Sequence, residues 1–221
     1  MTTMTSVGAQ PPARRLTARG ASTRNRIVRA AADLMHAAGV AGTTMDQVVD
    51  ASGTSKSQLY HYFADKDALV AAVIKTQAAR MLEFQEPHLE RLASIADLRQ
   101  WRNAVVRSVD EGQGINGCAV GSLSSELADR SEPARILIEA AFRSWESYLA
   151  AGLRRMQDRG ELDPEADPAE LATGLMAAYQ GGYLLSQAAR SSRPMAIALD
   201  LALDSIEARR ARSDRAPEAA S

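Results

Sequence analysis

Few side chains in this 221-residue chain are spaced for covalent chemistry. The three histidines, His36, His61 and His88, stand at spacings unlike a metal motif, and the one cysteine, Cys118, has no histidine near it in sequence. Gly112, Gly114, Gly117 and Gly121 crowd together, but they lack the Lys-Ser/Thr ending of a phosphate loop and follow a helical pattern, not a strand. No catalytic group, metal site or cofactor is expected. What the chain does concentrate, between Thr44 and Lys66, is hydrogen-bond donors and cations. Thr54, Ser55, Ser57 and Gln58 are suited to base edges, and Lys56, Tyr60, His61 and Lys66 to phosphate oxygens, with Thr44 at the head of the preceding element.

Two short helices would present that set. Thr44 followed by Gln47 has the form of a capping box, and Met45, Val48 and Val49 then recur at helical spacing on one face. Ser52-Gly53 breaks the pattern. Ser55 followed by Gln58 repeats the box and opens a second helix, in which Leu59 and Phe63 lie one turn apart on the buried side. Ser57, Gln58, Tyr60 and His61 fall opposite. In a helix-turn-helix the second helix offers such residues to the major groove while its neighbours grip phosphates. The same hairpin would also serve as an ordinary part of an all-helical core.

The preceding segment favours the first reading. Between Thr23 and Gly39, Ile27, Ala30, Ala31, Leu34, Met35 and Ala38 form one apolar stripe, Arg24, Arg26 and Arg29 mark the outer surface, and Gly39 sits where a helix end prefers glycine. A tripod of three helices is expected.

At this point the sequence resembles the TetR/AcrR transcriptional regulators. The likeness spans roughly residues 20–75. It is carried by the helix from Ile27 with its Ala-Ala-Gly-Val-Ala-Gly end, Thr44, Ser52-Gly53-Thr54-Ser55-Lys56, Leu59-Tyr60-His61-Tyr62-Phe63 and Asp65-Lys66-Asp67-Ala68-Leu69. Ser57 departs from the pattern, which commonly has glycine there. The resemblance implies a three-helix DNA-binding head, with a fourth helix from near Asp65 leading into an effector-binding and dimerisation body.

Charge is distributed in the same sense. Residues 14–80 hold ten Lys and Arg against five Asp, so a formal charge of −1 for the whole chain conceals a basic head and an acidic body. A basic face exchanges counterions with a phosphate backbone, and an acidic body resists non-specific coating. With 46% apolar residues, few aromatics and abundant alanine, an all-α fold is expected. The absence of an apolar run of about 18 residues, or of a leader-like apolar segment in the first 30, points to a cytoplasmic protein. A lone cysteine excludes an intramolecular disulfide and suits a reducing compartment.

The expected organisation is an irregular arm over residues 1–20, a DNA-binding domain over 21–66, an effector and dimerisation domain over 67–208, and an irregular tail over 209–221. Arg14, Arg15 and Arg19 give the arm the composition of a minor-groove reader, or simply of a solvated tail. In the body, helical patterns run from Asp65 to a break at Glu86-Pro87, from Asp97 to Val109, from Pro133 to Arg159, from Pro168 to Arg190 and from Met195 to Ile206, with a glycine-rich loop or pocket wall at 112–121. Leu171, Leu175, Ala178, Gly182 and Leu185 form one stripe of the penultimate helix, and Met176, Tyr179 and Tyr183 a second. Two apolar faces need two partners, and small residues such as Ala177, Ala178, Gly181 and Gly182 allow the close approach of a second subunit. Burial within one subunit is the alternative.

Residues 117–129 and Gln180-Gly181-Gly182-Tyr183 also resemble the effector domain of a TetR branch that answers to multidrug compounds and flavonoids. That likeness implies a pocket for an amphipathic organic molecule, with Trp101, Val105, Cys118, Phe142, Trp145, Met176, Tyr179 and Tyr183 as candidate lining, although each also suits plain core packing. The expected function is a homodimeric repressor on a pseudo-palindromic operator, released by a small amphipathic effector and not an enzyme. The alternatives are a ligand carrier without DNA function, or an activator or architectural protein using the same head.

Overall fold

Thr17 starts the first helix, its hydroxyl accepting from Gly20 N at 3.2 Å, as an N-cap side chain does for an orphan amide. The computed structural model describes residues 17–112 and 117–210, and all regular structure among them is helical. Helix α1 (Ala18–Ala38) therefore begins five residues before Thr23, inside the stretch expected to be irregular. Arg14 and Arg15 lie outside the described residues, as does 211–221 of the expected tail. Ile27, Val28, Ala31, Ala32 and Met35 are the buried face of α1, whereas Ala38, assigned to the stripe from spacing, is exposed. The helix stops at Gly39, whose φ of +75° favours glycine.

Helices α2 (Met45–Ser52) and α3 (Lys56–Tyr62) both carry the complete capping box expected for them. Gly53 between them adopts the left-handed conformation, at φ +60°. Asp65 caps α4 (Lys66–Leu89) by accepting from Ala68 N at 2.7 Å. This helix does not break at Pro87, which sits inside its last turn. One amide bond is forfeited there, but Gln85 and Leu89 are fully buried, and Arg155 donates to the carbonyls of Leu89 and Leu92 at 2.9 and 2.8 Å, closing the end.

Helix α5 (Ile95–Asp110) begins at Ser94, where Asp97 Oδ2 accepts from both Ser94 Oγ and Ala93 N. Those bonds, the Ser94 hydroxyl foremost, hold the Asp97 carboxyl below the usual carboxylate range. Helix α6 (Ala119–Leu127) was not legible as a helix, because Gly121, Ser122, Ser124 and Ser125 are weak helix formers. Burial of Val120, Leu123 and Leu127 holds it. Helices α7 (Glu132–Asp158), α8 (Pro168–Ala189) and α9 (Arg193–Glu207) follow the expected order, each with proline in its first turn.

Two apolar clusters result. One unites α1 to α3 and the first half of α4 with Val120, Leu123 and Leu127 of α6 and Ala134, Ile138 and Ala141 of α7. The other joins the far end of α4 to α5, α7, α8 and α9 around Trp101, Trp145 and Tyr179. Forked bonds from Arg102 to Asp200, at 2.8 and 2.6 Å, tie α5 to α9. Gly182 admits Met195 of α9, and Gly152 of α7 admits Leu92, which would lie 2.3 Å from an added Cβ. Gly152→Ala should therefore cost about 1–3 kcal/mol, lowering the denaturant midpoint while leaving far-ultraviolet circular dichroism unchanged; an unshifted midpoint would show that Leu92 yields freely.

Candidate functional site

The donor-rich stretch folds as the spacing requires. Ser55 Oγ accepts from Gln58 N at 3.2 Å, and Gln58 Oε1 accepts from Ser55 N at 3.0 Å, so both side chains help to start α3 and stand exposed at its N-terminal end. Lys56, Ser57, Tyr60 and His61 are exposed around them, Tyr60 at 52%. Lys66 is partly exposed at the start of α4, and Thr44 is exposed at the start of α2. Thr54 does not share this surface. It is buried, with its hydroxyl 2.8 Å from that of Ser52, and it holds the turn from within.

Leu59 and Phe63 anchor the other side of α3 at 0% and 2% exposure, and the Arg24 guanidinium lies 5.1 Å from the Phe63 ring centroid. Lys56 is held by Asp46 of α2 at 2.9 Å. That hydrogen-bonded partner raises the Lys56 pKa above its ordinary value, so the ammonium stays charged. Both side chains are two-thirds exposed, so the pair adds little stability and its weight is electrostatic.

The body contains two adjoining cavities, of about 380 and 270 Å³, which share Gly117, Cys118 and Tyr183 in their walls. Phe142 faces the larger and Tyr179 the smaller. Trp101, Val105, Trp145 and Met176 line neither; they form the packed core behind them. Spacing alone missed the polar walls, namely Gln77, Arg80 and Gln85 of α4, Ser124 and Ser125 of α6, and Gln180 of α8. Their signal was a polar residue recurring inside otherwise apolar helical stripes.

Gln85 and Tyr179 form the polar centre of this region. Trp101 Nε1 donates to Gln85 Oε1, and Gln85 Nε2 donates to Tyr179 Oη at 3.0 Å. Burial first, and the neighbouring Tyr183 second, push the Tyr179 phenol well above its ordinary pKa. Trp101 stacks on Tyr179 at 6.1 Å between ring centroids, and Trp145 meets it edge-on at 4.5 Å. Trp145 Nε1 is buried without a hydrogen-bond partner. Cys118 caps α6, its Sγ accepting from Gly121 N at 3.4 Å and from Gln180 Nε2 at 3.6 Å.

One side chain links cavity wall to head. The first turns of α6 border both cavities, and Glu126 near its other end accepts from Val40 N and Ala41 N, each at 2.7 Å. These amides belong to the connection between α1 and α2.

A tripod with an exposed, capped third helix, set on a helical body with open cavities between its helices, defines a helix-turn-helix regulator. Residues 27–73 match the profile described as bacterial regulatory proteins, tetR family, and residues 94–202 match that of the tetracyclin repressor-like C-terminal domain. The chain is 29% identical over 182 residues to YxaF, an uncharacterized HTH-type transcriptional regulator of Bacillus subtilis, covering 81% of this chain and 92% of YxaF. It is 28% identical over 166 residues to the transcriptional regulator AcuR of Cereibacter sphaeroides, covering 72% and 73%. A TetR transcriptional regulator from Chloroflexus aurantiacus superposes with a TM-score of 0.77 at 22% identity, over 88% of this chain and 98% of that one. This chain belongs to the TetR family of transcriptional regulators.

The Glu126 contact yields a direct test. Glu126→Gln keeps the shape but loses the charge on two amide bonds, and should cost about 1–2 kcal/mol. The signature is faster hydrogen exchange at Val40 and Ala41 with α5, α8 and α9 unchanged; unaltered exchange at those two amides would remove the link.

Proposed function

We propose that this protein is a ligand-responsive repressor that binds a pseudo-palindromic operator as a homodimer, with residues 21–66 as the DNA-binding domain and 67–208 as the effector-binding and dimerisation domain. The observation that carries the reading is the exposed start of α3, where Ser55, Lys56, Ser57, Gln58, Tyr60 and His61 stand clear of the core that Leu59 and Phe63 anchor. Ser57 and Gln58 then face base edges, and Lys56, Tyr60, His61 and Lys66 face phosphates. Members of the family bind operator DNA, typically as dimers.

The last two helices supply the dimer surface. Leu184 and Leu185 of α8 and Ile197 and Leu201 of α9 are large apolar side chains at 48–67% exposure. Added Cβ atoms at Gly174 and Gly181 would meet nothing within 4 Å, so a second subunit can approach closely there. Two heads spaced by about 34–36 Å would then address successive major grooves. An effector that prefers a body conformation with the heads differently spaced shifts the population away from the DNA-bound form. No described helix is long and apolar enough to cross a membrane.

Footprinting and titration on DNA upstream of the gene and its neighbours should reveal a protected palindrome with a steep salt dependence. Lys56→Gln and Lys66→Gln should each reduce the salt slope by about one. Asp46→Asn, which removes the carboxylate that holds Lys56, should tighten binding. A carrier would show no operator affinity to lose, and an activator would protect a site placed to recruit polymerase. Separately, Leu185→Glu combined with Leu201→Glu should give a folded monomer in sedimentation; a dimer that survives both charges would place the interface elsewhere.

A further inference from the structure

The two cavities carry an electrostatic sign. Among the described residues no carboxylate lines either of them, the larger is walled by uncharged groups, and the one charged lining residue of the smaller is Arg80. Arg80 forms no ion pair among the described residues. An organic cation entering here would meet a like charge and nothing to neutralise it.

The buried hydrogen bonds carry a direction as well. An indole nitrogen only donates, so Trp101 fixes Gln85 Oε1 as its acceptor and leaves Nε2 to donate to Tyr179. With its oxygen engaged as acceptor, Tyr179 keeps its own proton available to donate elsewhere. The next ring is Tyr183, with centroids 4.7 Å apart, and both phenols line the smaller cavity. A chain that starts at an obligatory donor therefore finishes in phenol donors at the cavity wall.

We propose that the effector site selects an aromatic amphiphile with one anionic acceptor group, a carboxylate, sulfonate or phenolate, which the Tyr183 hydroxyl and Arg80 receive while Met81 and Phe84 cover the rings, and that organic cations are rejected. This rests on the ligand-responsive reading above and fixes the charge class of the ligand. Both wall positions face the cavity that Cys118 and Gly117 share with its larger neighbour, so an extended ring system can reach across.

Fluorescence titration of the full chain tests it with three probes: anionic anilinonaphthalene sulfonate, neutral phenylnaphthylamine with the same ring system, and the cationic dye ethidium. The sulfonate should bind about tenfold more tightly than the neutral probe, the difference a charge-assisted hydrogen bond makes. Arg80→Gln should weaken it about threefold to fivefold, since an exposed cation is screened. Tyr183→Phe should remove most of the remaining preference, and neither change should alter phenylnaphthylamine affinity. Ethidium binding as tight as the sulfonate, or sulfonate affinity indifferent to Arg80→Gln, overturns the charge selection and leaves a ligand-responsive regulator standing. Equal losses for the charged and neutral probes in Tyr183→Phe would reduce that residue to a packing role and overturn the assignment of the acceptor group. Failure of all three probes to bind would overturn the cavity as a ligand site, and with it the effector half of the proposed function.

Discussion

A helix of seven to nine residues does not persist alone in water, since nucleation costs more than so few backbone bonds return. Three helices of this length, α2, α3 and α6, carry the surfaces that matter most here. Each therefore exists only by what caps and buries it. The reciprocal boxes at Thr44 and Ser55 satisfy the first amides of α2 and α3, and Val48, Leu59 and Phe63 lock their inner faces to α1 and α4. Helix α6 has only the thiol of Cys118 at its start, and relies on three apolar side chains shared with the head. Side chains of head and body therefore share one core, in which α6 faces α1.

That shared core explains why a carboxylate matters at Glu126. Apolar packing is tolerant of sliding, whereas two amides at 2.7 Å from one carboxylate fix both distance and direction. The long α4 makes the second connection, since its first half packs in the head cluster and its second half walls the smaller cavity. Two connections of different stiffness thus join the cavities to the exposed face of α3, and any population shift of the kind proposed must accommodate both.

The head was largely legible in the sequence because its rules are local. Capping boxes span four residues and a glycine turn spans one, so Thr44, Gln47, Ser55, Gln58 and Gly53 could be placed without tertiary knowledge. Thr54 was not, since its inward orientation depends on Ser52 and on the turn as a whole. The body was legible as helices but not as a site. Aromatic residues at helical spacing identified a core, and Trp101, Trp145 and Met176 belong to it; which polar residues wall the adjoining space is decided by how five helices meet. Pro87 and α6 show the same limit from the other side, since burial of Leu89 carries α4 past a residue that ends most helices, and burial of Val120, Leu123 and Leu127 makes a helix from serines and glycine.

The position of the tryptophans has a practical meaning. There are two in the chain, both fully buried, and both lean on the ring of Tyr179, which borders the smaller cavity. Emission excited selectively in tryptophan consequently comes from the neighbourhood of the smaller cavity, and not from the helix-turn-helix head. The protein carries its own optical gauge of the body, readable without any label and blind to the other end of the molecule.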